Sequence, residues 1–371
     1  MIRFALISIF LLMSSAHAYA LDWGPLDSAI QARYAADAPG APGAAVIVAR
    51  GDSILYERYI GRADMQSGAA IDTLTRFCIA SISKQFTVMA LLQQDASYGR
   101  PGGLLDTPVS QWFDFPQPFW RTITLRHLAS HTSGVPDSRP RDDRDWCVHA
   151  TDEQSVRYFP TVDSLRFGPG EYYDYLNPSF ILLARVVERL SRREFTAYMA
   201  DSVFAPAGMT HTYYFDPQHR GVGESHAYVR DTDGDWREYD YGEETFYATR
   251  PDGGIYSTAR DLLSWEDALR GGTVLDSGRV GLAYTPVVSV TASPLCDYQR
   301  RPDTWYGLGL FIDHPAGQPR KVYHTGDNGG YQAYLAKYPA EDVKIVVLEN
   351  RNDHDRWEMA TLIDRILGLR P

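Results

Sequence analysis

The order of secondary-structure signals along the chain is the feature that most constrains its fold. Runs typical of strands lie near both ends: "AAVIVAR" and "SILYERYIG" on one side, and "WYGLGLFID", "KVYHTG", "YQAYLAKY" and "VKIVVLE" on the other. Between them, from about residue 83 to residue 269, the strongest patterns have helical periodicity. We therefore predict an α+β fold (an α/β sandwich), in which one antiparallel sheet is formed from both chain ends and flanked by helices, with a mostly helical region inserted.

Amphipathic helices are predicted at both ends of the sheet region. Leu26, Ile30 and Tyr34 share one face of a first helix that begins near Leu26 and ends near Ala36. The closing segment "DHDRWEMATLIDRILG" forms a second such helix. No linker marks a clean boundary, so we predict one unit over residues 21–371, with an α/β part at about 21–82 and 250–371 and a helical insert at about 83–249.

The N-terminal segment "MIRFALISIFLLMSSAHAYA" has the composition of a secretory signal. One Arg precedes the apolar run Phe4–Met13, and small residues in an A-x-A pattern follow it. The run is too short to cross a bilayer as an anchor. We predict that residues 1–20 are cleaved, that the protein is periplasmic or secreted, and that it keeps no stable membrane anchor.

Charge and cysteine content restrict the partners of the chain. The formal net charge of −11 argues against nucleic acid, since phosphate binding requires clustered Lys and Arg side chains. Export permits one disulfide, for which Cys147 and Cys296 are the better pair, whereas Cys78 lies in an apolar run typical of a buried thiol. His127 and His131 stand four residues apart, but no acidic residue lies between them and no third ligand is apparent. No metal site and no cofactor is predicted.

Two serines and a lysine occur together in the segment "FCIASISKQFT", at the start of a predicted helix. Ser81 stands three residues before Lys84, so both side chains would lie on one face of the first turn. An adjacent amine can take the proton that otherwise prevents a serine hydroxyl from acting as a nucleophile. The alternative is an ordinary helix start in which Ser81 or Ser83 serves as the N-cap.

The segment "EYYDYLNPSF" carries groups suited to proton transfer and substrate binding. Tyr175 beside a lysine ammonium could be held as a phenolate and act as general base. Asn177 could donate its amide to a substrate carbonyl. Asn177 followed by Pro178 also fits the N-cap and the first residue of the next helix, and both interpretations can hold together.

The segment "KVYHTGDNGGYQAY" places His324, Thr325 and Gly326 at the end of a predicted strand. A strand edge near a serine can bind an extended substrate through backbone hydrogen bonds, and glycine allows a close approach of the backbone. A backbone N–H after Gly326 could pair with that of Ser81 to hold an oxyanion. The alternative is a plain β-hairpin with a Gly-rich turn.

Together and in this order, the segments resemble the serine β-lactamase and penicillin-binding protein superfamily. They are most similar to its class C β-lactamase-related branch, which includes D,D-carboxypeptidases, D-aminopeptidases and β-lactamase-fold esterases. The matching segments are "FCIASISKQFT", "ITLRHLASHTSGVPD", "FGPGEYYDYLNPSFILLARVVERLS", "PDGGIYSTARDLLSW" and "HTGDNGGYQAY".

The resemblance implies a role for each matching residue. Ser81 is the implied nucleophile, Lys84 its partner in proton transfer, and Tyr175 the general base. The N–H groups of Ser81 and Asp327 would form the oxyanion hole. Substrate contacts are implied for Asn177, His324, Thr325 and Gly326.

One departure from the family pattern bears on the substrate. His324 stands where class C β-lactamases carry a lysine that helps to bind the substrate carboxylate. A neutral imidazole attracts an anion less strongly than a lysine, and we expect this group to titrate near neutrality. Leu176 is also bulkier than the Ser or Ala usual between the tyrosine and the asparagine.

The sequence therefore predicts an exported serine hydrolase that works through an acyl-enzyme. Its substrate is a small molecule or peptide with an amide or ester carbonyl, which makes it a peptidase, an amidase or an esterase. A class C-like β-lactamase is the first alternative. A penicillin-binding sensor or scaffold with little turnover is the alternative from another class of protein.

Overall fold

The computed structural model describes residues 21–35, 40–99, 103–137, 151–216, 223–239, 249–295 and 303–370. Residues 1–20, Cys147 and Cys296 lie outside these ranges, so signal cleavage and the disulfide stay predictions. Cys78 is buried as expected, and burial raises the pKa of its thiol to about 11.

Along the chain, a first group of strands is followed by a mostly helical stretch and then by a second group of strands. The strands are β1 Ala44–Arg50, β2 Ser53–Ile60, β3 Arg62–Asp64, β4 Ala69–Ala70, β5 Phe77–Cys78, β6 Tyr213–Tyr214, β7 Tyr228–Arg230, β8 Trp236–Glu238, β9 Ile255–Ser257, β10 Val288–Ser289, β11 Thr304–Tyr306, β12 Phe311–Asp313, β13 Lys321–Asn328, β14 Tyr331–Tyr338 and β15 Val343–Glu349. The α-helices are α1 Gly24–Ile30, α2 Ser83–Tyr98, α3 Leu125–Ala129, α4 Asp152–Tyr158, α5 Ser179–Ser191, α6 Phe195–Met199, α7 Arg250–Gly253, α8 Ala259–Gly271, α9 Ser277–Ala283 and α10 Arg356–Ile366.

The main sheet joins the two ends of the chain. Within the described ranges, eight strands pair antiparallel in the order β10-β11-β12-β13-β14-β15-β1-β2. Strand β1 pairs with β15 over its whole length, from Ala44 opposite Glu349 to Arg50 opposite Val343. This pairing brings two strands that are far apart in sequence into one sheet. The predicted fold class is therefore confirmed.

Helices cover both faces of this sheet. Along β1, Val46 and Val48 contribute to a core shared with the terminal helices α1 and α10. Their neighbours Ala45 and Ile47 contribute to a larger core shared with the inserted helices. Because side chains alternate across a strand, both sets are buried only when both faces are covered. This explains why "AAVIVA" is a continuous apolar run.

The first helix is close to the prediction. Helix α1 ends at Ile30 and continues as one π-helical turn through Ala35. Leu26, Ile30 and Tyr34 are all buried, as their shared face predicts. The Tyr34 hydroxyl donates a hydrogen bond to Glu349, so this segment is anchored to the end of β15.

Helix α2 is the central element of the inserted region. Its residues are buried without interruption from Ser83 to Leu92, and it packs against α5 and α7. Polar side chains are buried at its start, including Lys84, Gln85 and Thr87. Burial of polar groups costs free energy unless they are hydrogen-bonded, so a buried lysine here requires a specific environment.

The prediction of one strand over "WYGLGLFID" is wrong, because the structure has two strands, β11 and β12, joined by a tight turn. A Cβ on Gly307 would lie 2.3 Å from the carbonyl oxygen of Ala283. Gly309 has a φ of +70°, and a Cβ there would lie 3.2 Å from the carbonyl oxygen of Lys84. The turn therefore packs against the start of α2. Tyr306, which directly precedes the turn, is brought toward the start of that helix.

Candidate active site

Ser81 lies in a short 3₁₀ turn, Ala80–Ile82, between strand β5 and helix α2. The preceding residue, Ala80, has a φ of +44°, a left-handed conformation that is strained for a residue with a Cβ. Ala80 is fully buried, whereas Ser81 is partly exposed. The strained backbone thus presents one polar side chain at the edge of a buried region, an arrangement that is common at functional sites.

The side chain of Lys84 is completely buried and lies next to Ser81. Its Nζ is 2.9 Å from Ser81 Oγ and donates a second hydrogen bond of 2.8 Å to the backbone carbonyl of Asp252. That carbonyl belongs to α7, so a separate element of the fold holds the amine in place. An amine in this position can exchange a proton with the serine hydroxyl, which is the geometry that the S-x-x-K spacing predicts.

Ser83 has a different environment. Its Oγ is buried and accepts a hydrogen bond of 3.3 Å from the backbone N–H of Ile255, on strand β9. No side-chain capping bond is present at the start of α2. Neither serine therefore acts as an N-cap, and Ser81 is the one that faces Lys84.

Tyr175 lies in the loop before α5, with its ring beside Lys84. The Lys84 Nζ is 4.9 Å from the centroid of the Tyr175 ring and 5.6 Å from that of Phe180. Aromatic faces at such distances stabilise an ammonium group. The structure thus brings together the three side chains for which the sequence predicts catalytic roles.

The prediction that Asn177 caps the next helix is wrong. Helix α5 begins at Ser179, Pro178 takes the capping position, and no side-chain cap is formed. The Asn177 Oδ1 is buried and has no hydrogen-bond partner among the described residues. Since an unsatisfied buried acceptor is costly, this amide is suited to meet a ligand. The implied contact between Asn177 and the substrate stays a prediction.

Strand β13 runs alongside the turn that carries Ser81. Strand β12 pairs with β13 from Lys321 to Tyr323, and the turn that carries Ser81 packs against the rest of β13. A Cβ on Gly326 would lie 2.2 Å from the carbonyl oxygen of Ile79, so only glycine fits here. His324 and Thr325 precede it and are buried.

The predicted oxyanion hole would use the same two segments. Ser81 lies in the turn, and Asp327 follows Gly326 on the strand. The exposed Asp327 carboxylate forms an ion pair with Arg356, whose Nη1 also donates to the Gly326 carbonyl oxygen at 2.9 Å. Arg356 therefore fixes the end of β13, and the roles of the two N–H groups stay predictions.

Both ring nitrogens of the buried His324 are hydrogen-bonded. Nδ1 lies 2.6 Å from the Thr325 carbonyl oxygen and must carry the proton, so Nε2 accepts from the Tyr306 hydroxyl at 3.1 Å. Burial, followed by the charge of Lys84, lowers the pKa of His324 to about 3. The expected titration near neutrality is therefore wrong. The ring is neutral at physiological pH, and neither nitrogen is available to a substrate carboxylate.

This neutral imidazole predicts that stability depends on pH. In the unfolded chain the pKa of His324 returns to 6.5, so between pH 6.5 and about 3 the unfolded state binds the extra proton. The free energy of unfolding is then highest above pH 6.5 and falls as the pH decreases, by up to about 1.4 kcal/mol per pH unit. Urea denaturation between pH 4 and 7 should show that the free energy of unfolding changes less steeply with pH for His324→Asn than for the wild type. An equal pH dependence in the two proteins would contradict the assignment of a neutral, buried imidazole to His324.

Sequence patterns alone did not identify His131 as a neighbour of Tyr175, or Tyr306 as a second neighbour of His131. The ring centroid of His131 lies 4.2 Å from that of Tyr175 and 4.9 Å from that of Tyr306. The available signals were the "HTSG" run and the tyrosine that precedes the "GLGL" turn. Both residues are far from Tyr175 in sequence, so only the tertiary structure reveals the contact.

No three His, Cys, Asp or Glu side chains of the described ranges come together as a candidate metal site. None of the helices in those ranges is both long enough and apolar enough to cross a bilayer.

Comparisons with known proteins agree with this geometry. The family model described as Beta-lactamase matches residues 26–367. Penicillin-binding protein 4* of Bacillus subtilis is 27% identical over 332 residues, which cover 85% of this chain and 70% of that protein. A D-aminopeptidase of Brucella canis is 25% identical over 340 residues, which cover 89% of this chain and 60% of that protein.

The fold also matches solved structures. The crystal structure of a penicillin binding protein from Bacillus halodurans superimposes with a TM-score of 0.74 and 28% identity, over 87% of this chain and 95% of that chain. The family match spans nearly the whole chain and includes the Ser81, Lys84 and Tyr175 segments. The chain therefore belongs to the β-lactamase family and is a serine hydrolase of the β-lactamase-related type, which acts through an acyl-enzyme.

Proposed function

We propose that this protein is an exported serine hydrolase that acylates Ser81 with the acyl group of an amide or ester, as a peptidase, an amidase or an esterase. The distance of 2.9 Å between Lys84 Nζ and Ser81 Oγ carries the proposal. A serine is a useful nucleophile only with a proton-transfer partner in hydrogen-bond reach, and here that partner is a buried amine fixed by the Asp252 carbonyl. The export part rests on the signal-like composition of residues 1–20.

The proposed reaction has two steps. Ser81 Oγ attacks the carbonyl carbon, and its proton passes to Lys84 or Tyr175. The bond between the carbonyl carbon and the leaving nitrogen or oxygen breaks, and the leaving group takes up that proton. Water then attacks the resulting ester, which releases a carboxylic acid and restores the Ser81 hydroxyl.

The surroundings of His324 support an amide or ester rather than a β-lactam. A β-lactam antibiotic carries a carboxylate near the reacting ring, and a cation at position 324 would attract it. His324 is neutral, and its two nitrogens are occupied by Thr325 and Tyr306. The name of the Brucella canis relative, a D-aminopeptidase, agrees with an amide substrate.

Intact-protein mass spectrometry after brief exposure to a substrate panel tests this function. The panel contains a short p-nitrophenyl ester, a D-amino-acid p-nitroanilide, a D-Ala-D-Ala peptide and a chromogenic cephalosporin. We expect a transient mass increase equal to the acyl group, located on the peptide that contains Ser81. Turnover should be faster with at least one ester or amide than with the cephalosporin.

Each other outcome points to a different function. Fastest turnover of the cephalosporin would identify a β-lactamase and overturn the substrate assignment. Adducts that persist without turnover on every substrate would identify a sensor or scaffold. Turnover without any adduct at Ser81 would overturn the acyl-enzyme proposal itself.

A further inference from the structure

The imidazole of His131 lies against the ring of Tyr175, deep in the fold. The ring centroids are 4.2 Å apart with an angle of 36° between the planes. His131 is buried, and its φ of +58° places it in the left-handed conformation that commonly follows the end of a helix. The backbone of His131 closes α3: its N–H donates to the Leu128 carbonyl oxygen at 3.4 Å, and the Thr132 N–H donates to the His127 carbonyl oxygen at 2.9 Å. This helix end accounts for the left-handed backbone but not for the contact of the buried ring with a predicted general base.

His131 also holds the backbone on both sides of Tyr175. The N–H of Asp174 donates to the His131 carbonyl oxygen at 2.9 Å. The N–H of Leu176 donates to His131 Nδ1 at 3.0 Å. One residue therefore binds the positions immediately before and after Tyr175 and packs its ring against the tyrosine ring. This arrangement restricts both the backbone and the side chain of Tyr175.

These contacts determine the protonation of the imidazole. Because Nδ1 accepts a hydrogen bond, the neutral ring carries its proton on Nε2. Burial, followed by the charge of Lys84 and the neighbouring His324, lowers the pKa of His131 well below its usual value. A neutral ring can pack against Tyr175 without adding a second charge next to Lys84.

We propose that His131 is a positioning residue, which holds Tyr175 at the distance from Lys84 that proton transfer requires. The inference rests on the proposed function, since it assumes that Tyr175 transfers a proton. It adds a specific cause for the placement of Tyr175: one ring contact, and two hydrogen bonds that His131 accepts from the backbone N–H groups on either side of Tyr175.

Two substitutions separate the contributions of His131. His131→Asn keeps an acceptor for the Leu176 N–H and tolerates the left-handed backbone, but removes the ring. His131→Phe keeps a ring against Tyr175, but removes the acceptor. We expect each to lower kcat by about tenfold or more with little change in KM, because misplacement of a reacting group affects the chemical step.

The matched control is His127→Gln. His127 Nδ1 accepts from the Thr124 N–H at 3.2 Å, in a capping box that glutamine can also form. This variant should keep the wild-type kcat and KM. If His131→Phe fails to fold, His131→Asn carries the test alone, because asparagine suits the backbone at this position.

The decisive measurement repeats both substitutions in a Tyr175→Phe background. If His131 acts through Tyr175, neither substitution should lower the residual kcat further. A tenfold loss in both backgrounds would indicate a general structural role and overturn the inference. Unchanged kcat in the single variants, with Tyr175→Phe inactive, would overturn the inference but leave the proposed function intact. Full activity of Tyr175→Phe would overturn the proposed proton transfer, and the role of His131 with it.

Discussion

Ser81→Ala should abolish turnover and covalent labelling together, with a loss of on the order of 10⁴-fold or more in kcat. The hydroxyl is the only group at this position that can form the ester, and alanine removes it without adding volume. The Lys84 amine, 2.9 Å from Ser81 Oγ, would keep its bond to the Asp252 carbonyl, so the variant should fold normally. Steady-state assays and intact-protein mass spectrometry on the same sample measure both effects.

Ser83→Ala is the matched control for this experiment. It also removes a serine hydroxyl, but at a position two residues after Ser81. The Ser83 Oγ accepts a hydrogen bond from the Ile255 N–H at 3.3 Å. Loss of this buried hydrogen bond should lower the free energy of unfolding by about 1–2 kcal/mol and leave acylation intact. The assignment of the nucleophile would be wrong if Ser81→Ala still formed an adduct, or if Ser83→Ala alone prevented one.

The strands of the main sheet and the contact between Ser81 and Lys84 could be predicted because their signals are local. Strands β1 and β15 are buried on both faces, so their apolar runs are continuous and end at turn residues. The contact between Ser81 and Lys84 follows from one helical turn, which is a property of spacing rather than of tertiary structure. The strands and this contact depend on neighbouring residues, whereas the pairing of β1 with β15 joins the two ends of the chain.

The surroundings of Tyr175 could not be predicted because they arise from contacts between distant segments. His131 meets Leu176 across 45 positions of the chain. Tyr306 reaches His324 through a hairpin that the sequence pattern merges into a single strand. The same limit applies to the chemistry of His324. Its residue type indicates a pKa near neutrality, and burial in the folded protein, followed by the charge of Lys84, lowers that pKa to about 3.

Gly326→Ala should damage both activity and stability, because Gly326 lies where strand β13 meets Ile79 and Ala80, the residues that precede Ser81. An added Cβ would lie 2.2 Å from the Ile79 carbonyl oxygen and 3.2 Å from the Ala80 Cβ. Real Cβ contacts are essentially never shorter than 3.0 Å, so the two segments must separate by about 0.8 Å. We expect kcat/KM to fall by about 100-fold and the free energy of unfolding to fall by about 1–3 kcal/mol.

Gly281→Ala distinguishes this steric effect from a general effect of replacing glycine. Gly281 is exposed within α9, and an added Cβ there would meet nothing within 4 Å. Alanine favours the helix, so this variant should be more stable by up to about 1 kcal/mol and keep wild-type kcat/KM. Urea denaturation and steady-state kinetics of the two variants provide the comparison. Wild-type kcat/KM for Gly326→Ala would show that close packing of β13 against Ile79 is not needed for catalysis. The strand would then contribute to the fold rather than to the reaction.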